Sequence, residues 1–134
     1  MFLIKFSMNY DEISKRLEEI RTEDFIWIIY VAIIFLSWIS NHVERKYFLN
    51  NDLKAREDYR KIMLIIFSTI TVIYIYFFKD AIDSLNELKP NDSKEKKVLT
   101  YLSFIASLLV LISGFIYLYI IINDQDINVE LAFN

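Results

Sequence analysis

The stretch VLTYLSFIASLLVLISGFIYLYIII, residues 98–122, runs for 25 positions without a charged side chain. A helix of this length extends about 37 Å, because each helical residue adds about 1.5 Å. The hydrocarbon core of a bilayer is about 30 Å thick and is crossed by roughly 20 helical residues. This stretch therefore predicts a transmembrane helix.

Two shorter uncharged runs precede it, FIWIIYVAIIFLSWIS at residues 25–40 and IMLIIFSTITVIYIYFF at residues 62–78. The first reaches a spanning length if it continues to residue 43. Runs this short also occur as buried core helices or strands of soluble proteins. However, three such runs exceed what a chain of 134 residues encloses in one core. We therefore predict three transmembrane helices, at residues 25–43, 62–78 and 98–122.

Aromatic and long cationic side chains lie toward the ends of these runs. Trp and Tyr prefer the boundary between membrane and water, and Lys extends its ammonium group toward the headgroups. The predicted interfacial anchors are Trp27, Trp38, Lys61, Lys79, Tyr117 and Tyr119.

Composition excludes several other classes of protein. The chain is 55% hydrophobic and 25% charged, which is too apolar for a disordered or nucleic-acid-coating protein. A single Gly and a single Pro exclude collagen-like and linker-rich chains. The absence of cysteine from the sequence excludes disulfide scaffolds, zinc clusters and thiol nucleophiles.

Residues 9–21 are predicted to form a separate, short amphipathic helix. Asn9 and Glu12 have the spacing of a capping box, and Thr22 is a candidate cap for the helix that follows. The apolar residues of this segment recur at helical intervals and are Tyr10, Ile13, Leu17 and Ile20.

Turn signals divide the remaining helices. Residues 50–52 (NND) form a strong turn signal, and any of the three is a candidate cap for the second long helix. Pro90 ends that helix, and Asp92 with Glu95 has capping-box spacing before the third. Residues 124–134 alternate apolar and polar side chains, which predicts an extended tail. The fold class is thus an all-α integral membrane protein, with residues 1–134 as one membrane domain whose helices extend beyond the bilayer.

The basic residues predict an orientation in the membrane. Lys and Arg number four before the first run, six in the first connection, five in the second and none after the third run. With three spans, the amino-terminal segment shares a side with the second connection. The positive-inside rule then favours a cytoplasmic amino terminus and a carboxy terminus outside.

The uncharged runs offer little chemistry. Pumps and coupled transporters depend on ionisable groups within the membrane, and none of the three runs contains one. His42 is the one histidine in the sequence and lies at the predicted boundary, where an interfacial polar role is favoured over a pH sensor. No catalytic residues, cofactor, metal site or nucleic-acid partner is predicted, and we expect the protein not to be an enzyme.

Small residues in the third run indicate close helix packing instead. Small side chains let two helix backbones approach each other in a membrane. These contacts are predicted either within one chain or between chains, so the expected partners are the lipid bilayer and a second copy or another membrane protein. The predicted packing residues are Ser103, Ala106, Ser107, Ser113 and Gly114.

Two functions are compatible with these features. The first, which the sequence favours, is a homo-oligomeric channel, pore-forming or membrane-permeabilising protein, similar in kind to holins and small effectors. The alternative is a non-catalytic accessory or anchoring subunit of a larger membrane complex. No selectivity filter or ring of charges in the sequence distinguishes the first.

Overall fold

The computed structural model describes residues 10–123, which form three long helices and no strand. They are α1 (Tyr10–Asn50), α2 (Leu53–Asn86) and α3 (Lys94–Asn123). Each contains a segment long and apolar enough to cross a membrane, which suggests a membrane location. The all-helical fold and its three long apolar helices confirm this part of the sequence prediction.

The predicted separate helix at residues 9–21 is wrong, because α1 runs without interruption from Tyr10 to Asn50. A helix cap requires a residue with extended backbone and a side chain turned toward the following N–H groups. Thr22 is instead helical, and its Oγ1 donates backward to the Glu18 carbonyl at 3.2 Å. Neither Gly nor Pro occurs between residues 10 and 50 to interrupt the helix. The side chain of Arg16 pairs with Glu19 at 3.0 Å and with Glu23 at 3.6 Å, which links successive turns.

All three helices are longer than a bilayer requires. α1 has 41 residues, α2 has 34 and α3 has 30. At about 1.5 Å for each residue they extend roughly 61, 51 and 45 Å, against about 30 Å of hydrocarbon. The charged ends of the helices therefore form ordered extensions beyond the apolar segments.

The chain divides into two compact units, Met1–Phe35 and Leu36–Asn134. In the first unit, the described residues belong to α1, and Ile26 and Ile33 are its buried apolar side chains. The second unit contains the rest of α1 together with α2 and α3. Within this unit α2 and α3 pack closely against each other.

The turn between α1 and α2 consists of Asn51 and Asp52. Asn51 has a φ of 51°, in the left-handed region that Asn tolerates better than most residues. Asp52 caps α2, and its Oδ1 accepts hydrogen bonds from the N–H groups of Lys54 at 3.0 Å and Ala55 at 3.2 Å. Of the three candidate caps in the turn signal, the structure selects Asp52.

The turn between α2 and α3 differs from the prediction by one residue. Ser93, rather than Asp92, caps α3, because its Oγ accepts from the Lys96 N–H at 3.1 Å. Asp92 closes the turn instead. Its Oδ2 accepts from the Lys89 N–H at 2.7 Å, and its Oδ1 lies 3.5 Å from the Lys96 ammonium. The predicted extended tail, residues 124–134, lies outside the described residues, as do residues 1–9.

Candidate helix-packing site

The antiparallel interface between α2 and α3 is the best-defined side-chain arrangement in the second unit. Phe67 packs against Tyr117 with ring centroids 5.3 Å apart, and Phe78 packs against Phe104 at 5.5 Å. These pairs lie toward opposite ends of the interface. Aromatic pairs at such separations stabilise packing beyond the area that they bury.

Gly114 lies between the two aromatic pairs and approaches Thr71 and Tyr74 of α2. A Cβ atom placed on Gly114 would lie 3.1 Å from Thr71 Oγ1 and 3.2 Å from Tyr74 Cδ2. Both distances are shorter than ordinary van der Waals contacts. Gly114 therefore permits a helix separation that any larger side chain would widen.

The structure places the other predicted packing residues differently. Ser107 and Ser113 are half-buried, whereas Ser103 and Ala106 are exposed on α3. Of the five residues predicted to mark the packing face, Gly114 alone is buried, and it contacts α2 of the same chain. Whether Ser103 and Ala106 pack against a further chain stays a prediction.

The predicted interfacial anchors also separate into two groups. Tyr117 is half-buried and belongs to the α2–α3 interface through its contact with Phe67. The others are exposed, as a side chain in contact with headgroups would be: Trp27, Trp38, Lys61, Lys79 and Tyr119. His42 is exposed as well, and its ring centroid lies 6.2 Å from that of Trp38.

Hydroxyl groups within the apolar segments bond to their own helices. Thr71 Oγ1 donates to the Phe67 carbonyl at 2.7 Å, and Thr69 Oγ1 donates to the Ile65 carbonyl at 2.8 Å. In α1 the wholly buried Ser40 donates to the Ser37 carbonyl at 2.6 Å. These bonds satisfy the hydroxyl donors without a second helix, which matters because an unpaired donor in hydrocarbon is costly.

The less exposed side of α3 was only partly predicted from the sequence, because small residues mark Ser107 and Gly114 but not its large apolar members. Its members recur at alternating intervals of three and four, the spacing of helices that cross at a small angle. Large apolar residues occur on every side of α3, so hydrophobicity alone does not reveal this face. The spacing was the available signal. The face comprises Phe104, Ser107, Leu111, Gly114, Leu118 and Ile121.

A second candidate surface lies on the amino-terminal arm, which we define as residues 10–24 of α1. Four apolar side chains of the arm form a stripe with the same alternating spacing, and all are exposed. Their exposed fractions are 82% for Tyr10, 45% for Ile13, 58% for Leu17 and 38% for Ile20. The arm precedes the apolar run of α1 at residues 25–40.

Chemical sites are not evident in the described part of the chain. Residues 10–123 contain no group of three or more His, Asp or Glu side chains that could hold a metal ion. Comparison of the sequence and structure with protein families, curated proteins and solved structures finds no match.

Proposed function

We propose that this protein is a non-catalytic membrane anchor that holds a partner through its amino-terminal arm. In this proposal α1, α2 and α3 cross the bilayer, and the arm extends into water as a continuation of the first span. The single observation that carries the proposal is the exposed apolar stripe of the arm, Tyr10, Ile13, Leu17 and Ile20.

The stripe sets the chemistry of the partner. Apolar residues at intervals of three and four on a helix fit the complementary stripe of a second amphipathic helix. The arm is about 22 Å long, or roughly four turns, which is enough for a specific but modest contact. Because the arm is continuous with the membrane-spanning part of α1, it would hold the partner helix at a fixed height above the membrane. We therefore propose an amphipathic helix of another membrane-associated protein as the partner.

The polar groups of the spans support an anchor over a pore. A water-filled path requires polar groups that face the path. The hydroxyls of Thr69, Thr71 and Ser40 are bonded to carbonyls of their own helices. The exposed side of α3 is mostly large and apolar, for example Leu102, Leu109 and Ile116. Such a surface suits contact with lipid.

The test is the mass of the complex extracted in mild detergent, for wild type and two arm variants. Leu17→Asp adds a charge within the stripe, whereas Thr22→Asp adds the same charge to an exposed position on another side of the same arm. We expect a complex of this chain with a different protein, which Leu17→Asp dissociates and Thr22→Asp preserves. A wild-type protein that is extracted as a monomer would overturn the proposal.

A homo-oligomeric pore is the second candidate, favoured by one observation. Ser103 and Ala106 are small and exposed on α3, so another copy could approach closely there. This candidate predicts a mass that is a multiple of the chain and ion flux through liposomes that contain purified protein. Replacement of Ala106 by Leu should then abolish both the oligomer and the flux. Liposomes that stay tight to ions would exclude the pore.

A further inference from the structure

Arg60 lies on the face of α2 that packs against α3. The contacts of this face come from Phe67, Thr71, Tyr74 and Phe78, at alternating intervals of four and three. Arg60 precedes Phe67 by seven residues, which is two helical turns, so it belongs to the same face. It therefore lies near the end of the α2–α3 interface that is closest to the capping residue Asp52.

One nitrogen of the Arg60 guanidinium is unsatisfied among the described residues. The Nη2 atom is buried and has no hydrogen-bond partner within residues 10–123, the part of the chain that the structure describes. A buried donor without a partner loses its bonds to water and gains nothing in return, and the loss is larger for a charged group. The side chain as a whole is only half-buried, so another part of it remains open to an approaching ligand.

The position of Arg60 along α2 indicates which ligand it would meet. It stands two residues before the apolar run at residues 62–78, so in a membrane-spanning α2 it lies at the depth of the headgroups. The phosphate groups of phospholipids are anionic acceptors at that depth. The connection at residues 41–61 contains six basic and four acidic residues, which also favours an anion.

We propose that Arg60 binds the phosphate group of a phospholipid at this end of the α2–α3 interface. A guanidinium presents parallel N–H donors that match two phosphate oxygens, which a lysine ammonium does not. A modest rotation of the guanidinium would bring Nη2 to the ligand together with the exposed part of the group. The inference rests on the membrane-spanning part of the proposed function and is independent of the arm and its partner.

The test uses the full chain in mild detergent with added phosphatidylglycerol, and counts by native mass spectrometry the lipids that stay bound as detergent is removed. Arg60→Gln is compared with Lys61→Gln, which removes the same charge from an exposed neighbour. We expect Arg60→Gln to lower the occupancy of the most tightly held lipid at least fivefold, on the order of 1 kcal/mol in binding free energy. Lys61→Gln should leave it within twofold, and Arg60→Lys should restore it only in part.

Three outcomes would overturn the proposal. Equal losses in Arg60→Gln and Lys61→Gln would indicate a general attraction of basic residues for lipid. Complete displacement of the lipid by millimolar inorganic phosphate would identify a free anion as the ligand. The third outcome is that Arg60→Gln leaves lipid retention unchanged but lowers the thermal midpoint. If the double variant Asp124→Asn, Asp126→Asn lowers the midpoint by the same amount, the acidic tail is the partner of Arg60.

Flotation with vesicles separates this proposal from the proposed function. Arg60→Gln should float with phosphatidylglycerol vesicles as wild type does, because three spans hold it in the bilayer. If the wild-type chain does not float, it does not span the membrane, and both the proposed anchor function and the proposed Arg60 site are wrong. Leu17→Asp should dissociate the arm partner and retain lipid, so failure of the anchor alone leaves the Arg60 site intact.

Discussion

The α2–α3 interface and the amino-terminal arm contain apolar residues at the same alternating spacing, yet they differ in what covers those residues. In the interface, Gly114 brings two backbones close, and aromatic pairs fill the space on either side. On the arm, the stripe from Tyr10 to Ile20 is exposed. Spacing therefore identifies a surface suited to packing, whereas a small residue opposite a complementary helix determines a close contact.

The strongest test of this difference is Gly114→Leu. The added side chain would collide with Thr71 and Tyr74, so the helices must separate, which should lower the free energy of unfolding by about 2 to 3 kcal/mol. Ala106→Leu adds a side chain to an exposed position of the same helix and should change stability by less than about 0.5 kcal/mol. Thermal unfolding followed by circular dichroism in detergent measures both. Equal effects would show that Gly114 is not a point of close helix contact.

A smaller loss is expected at the start of α2, the helix that forms half of the interface. Asp52→Ala removes the acceptor of the Lys54 and Ala55 N–H groups and should cost about 1 kcal/mol. Asp52→Asn keeps an acceptor and should stay close to wild type. The same thermal scan compares them. If alanine and asparagine behave alike, the cap does not stabilise α2.

The contact between Phe78 and Phe104 should contribute roughly 0.5 to 1 kcal/mol of coupling energy. A double-mutant cycle of Phe78→Leu and Phe104→Leu isolates this term, because each change removes one ring of the pair. The cycle of Phe78→Leu with Phe115→Leu is the control, since Phe115 is exposed on α3. Coupling in the control cycle as large as in the first would refute a specific ring contact.

Acid should weaken the turn that joins the two packed helices. The hydrogen bond from the Lys89 N–H holds the pKa of Asp92 below its ordinary value, and the nearby Lys96 ammonium lowers it further. The bond therefore stabilises the fold above the ordinary carboxyl pKa and is lost as the pH falls through the lowered one. We expect the thermal midpoint of the wild-type protein to decrease when the pH is lowered below about 4. The decrease should be smaller for Asp92→Asn. Parallel pH profiles of the two proteins would contradict this role.

The smallest effect on stability is expected on the arm. Leu17→Ala removes an exposed side chain, so the thermal midpoint of the purified chain should correspond to a change of less than about 0.5 kcal/mol. Partner binding, measured by the mass of the complex, should nevertheless weaken. A large loss of stability in the isolated chain would mean that the stripe is packed within the chain, and the comparison with the α2–α3 interface would fail.

Much of the fold was predictable from residues 98–122 and the two shorter runs, because uncharged length is a local property. Asp52 was among the predicted caps of α2, because capping also depends on residues that are neighbours in the sequence. The prediction of a separate helix at residues 9–21 was wrong. Thr22 can either cap a new helix or continue the existing one, and no Gly or Pro between residues 10 and 50 interrupts the helix. The packing face of α3 was only partly predicted, since Gly114 was named but Phe104 and Leu111 were not.

The sequence by itself determined the existence of three long apolar helices, the exclusion of cysteine chemistry and the placement of charge outside the apolar runs. These follow from composition and from the length of each run. The tertiary structure decided which side of each helix is covered, because that depends on a neighbour distant along the chain: Gly114 meets Thr71 and Tyr74. It also decided that the arm and the apolar run at residues 25–40 form one helix, since a helix ends only where backbone geometry changes.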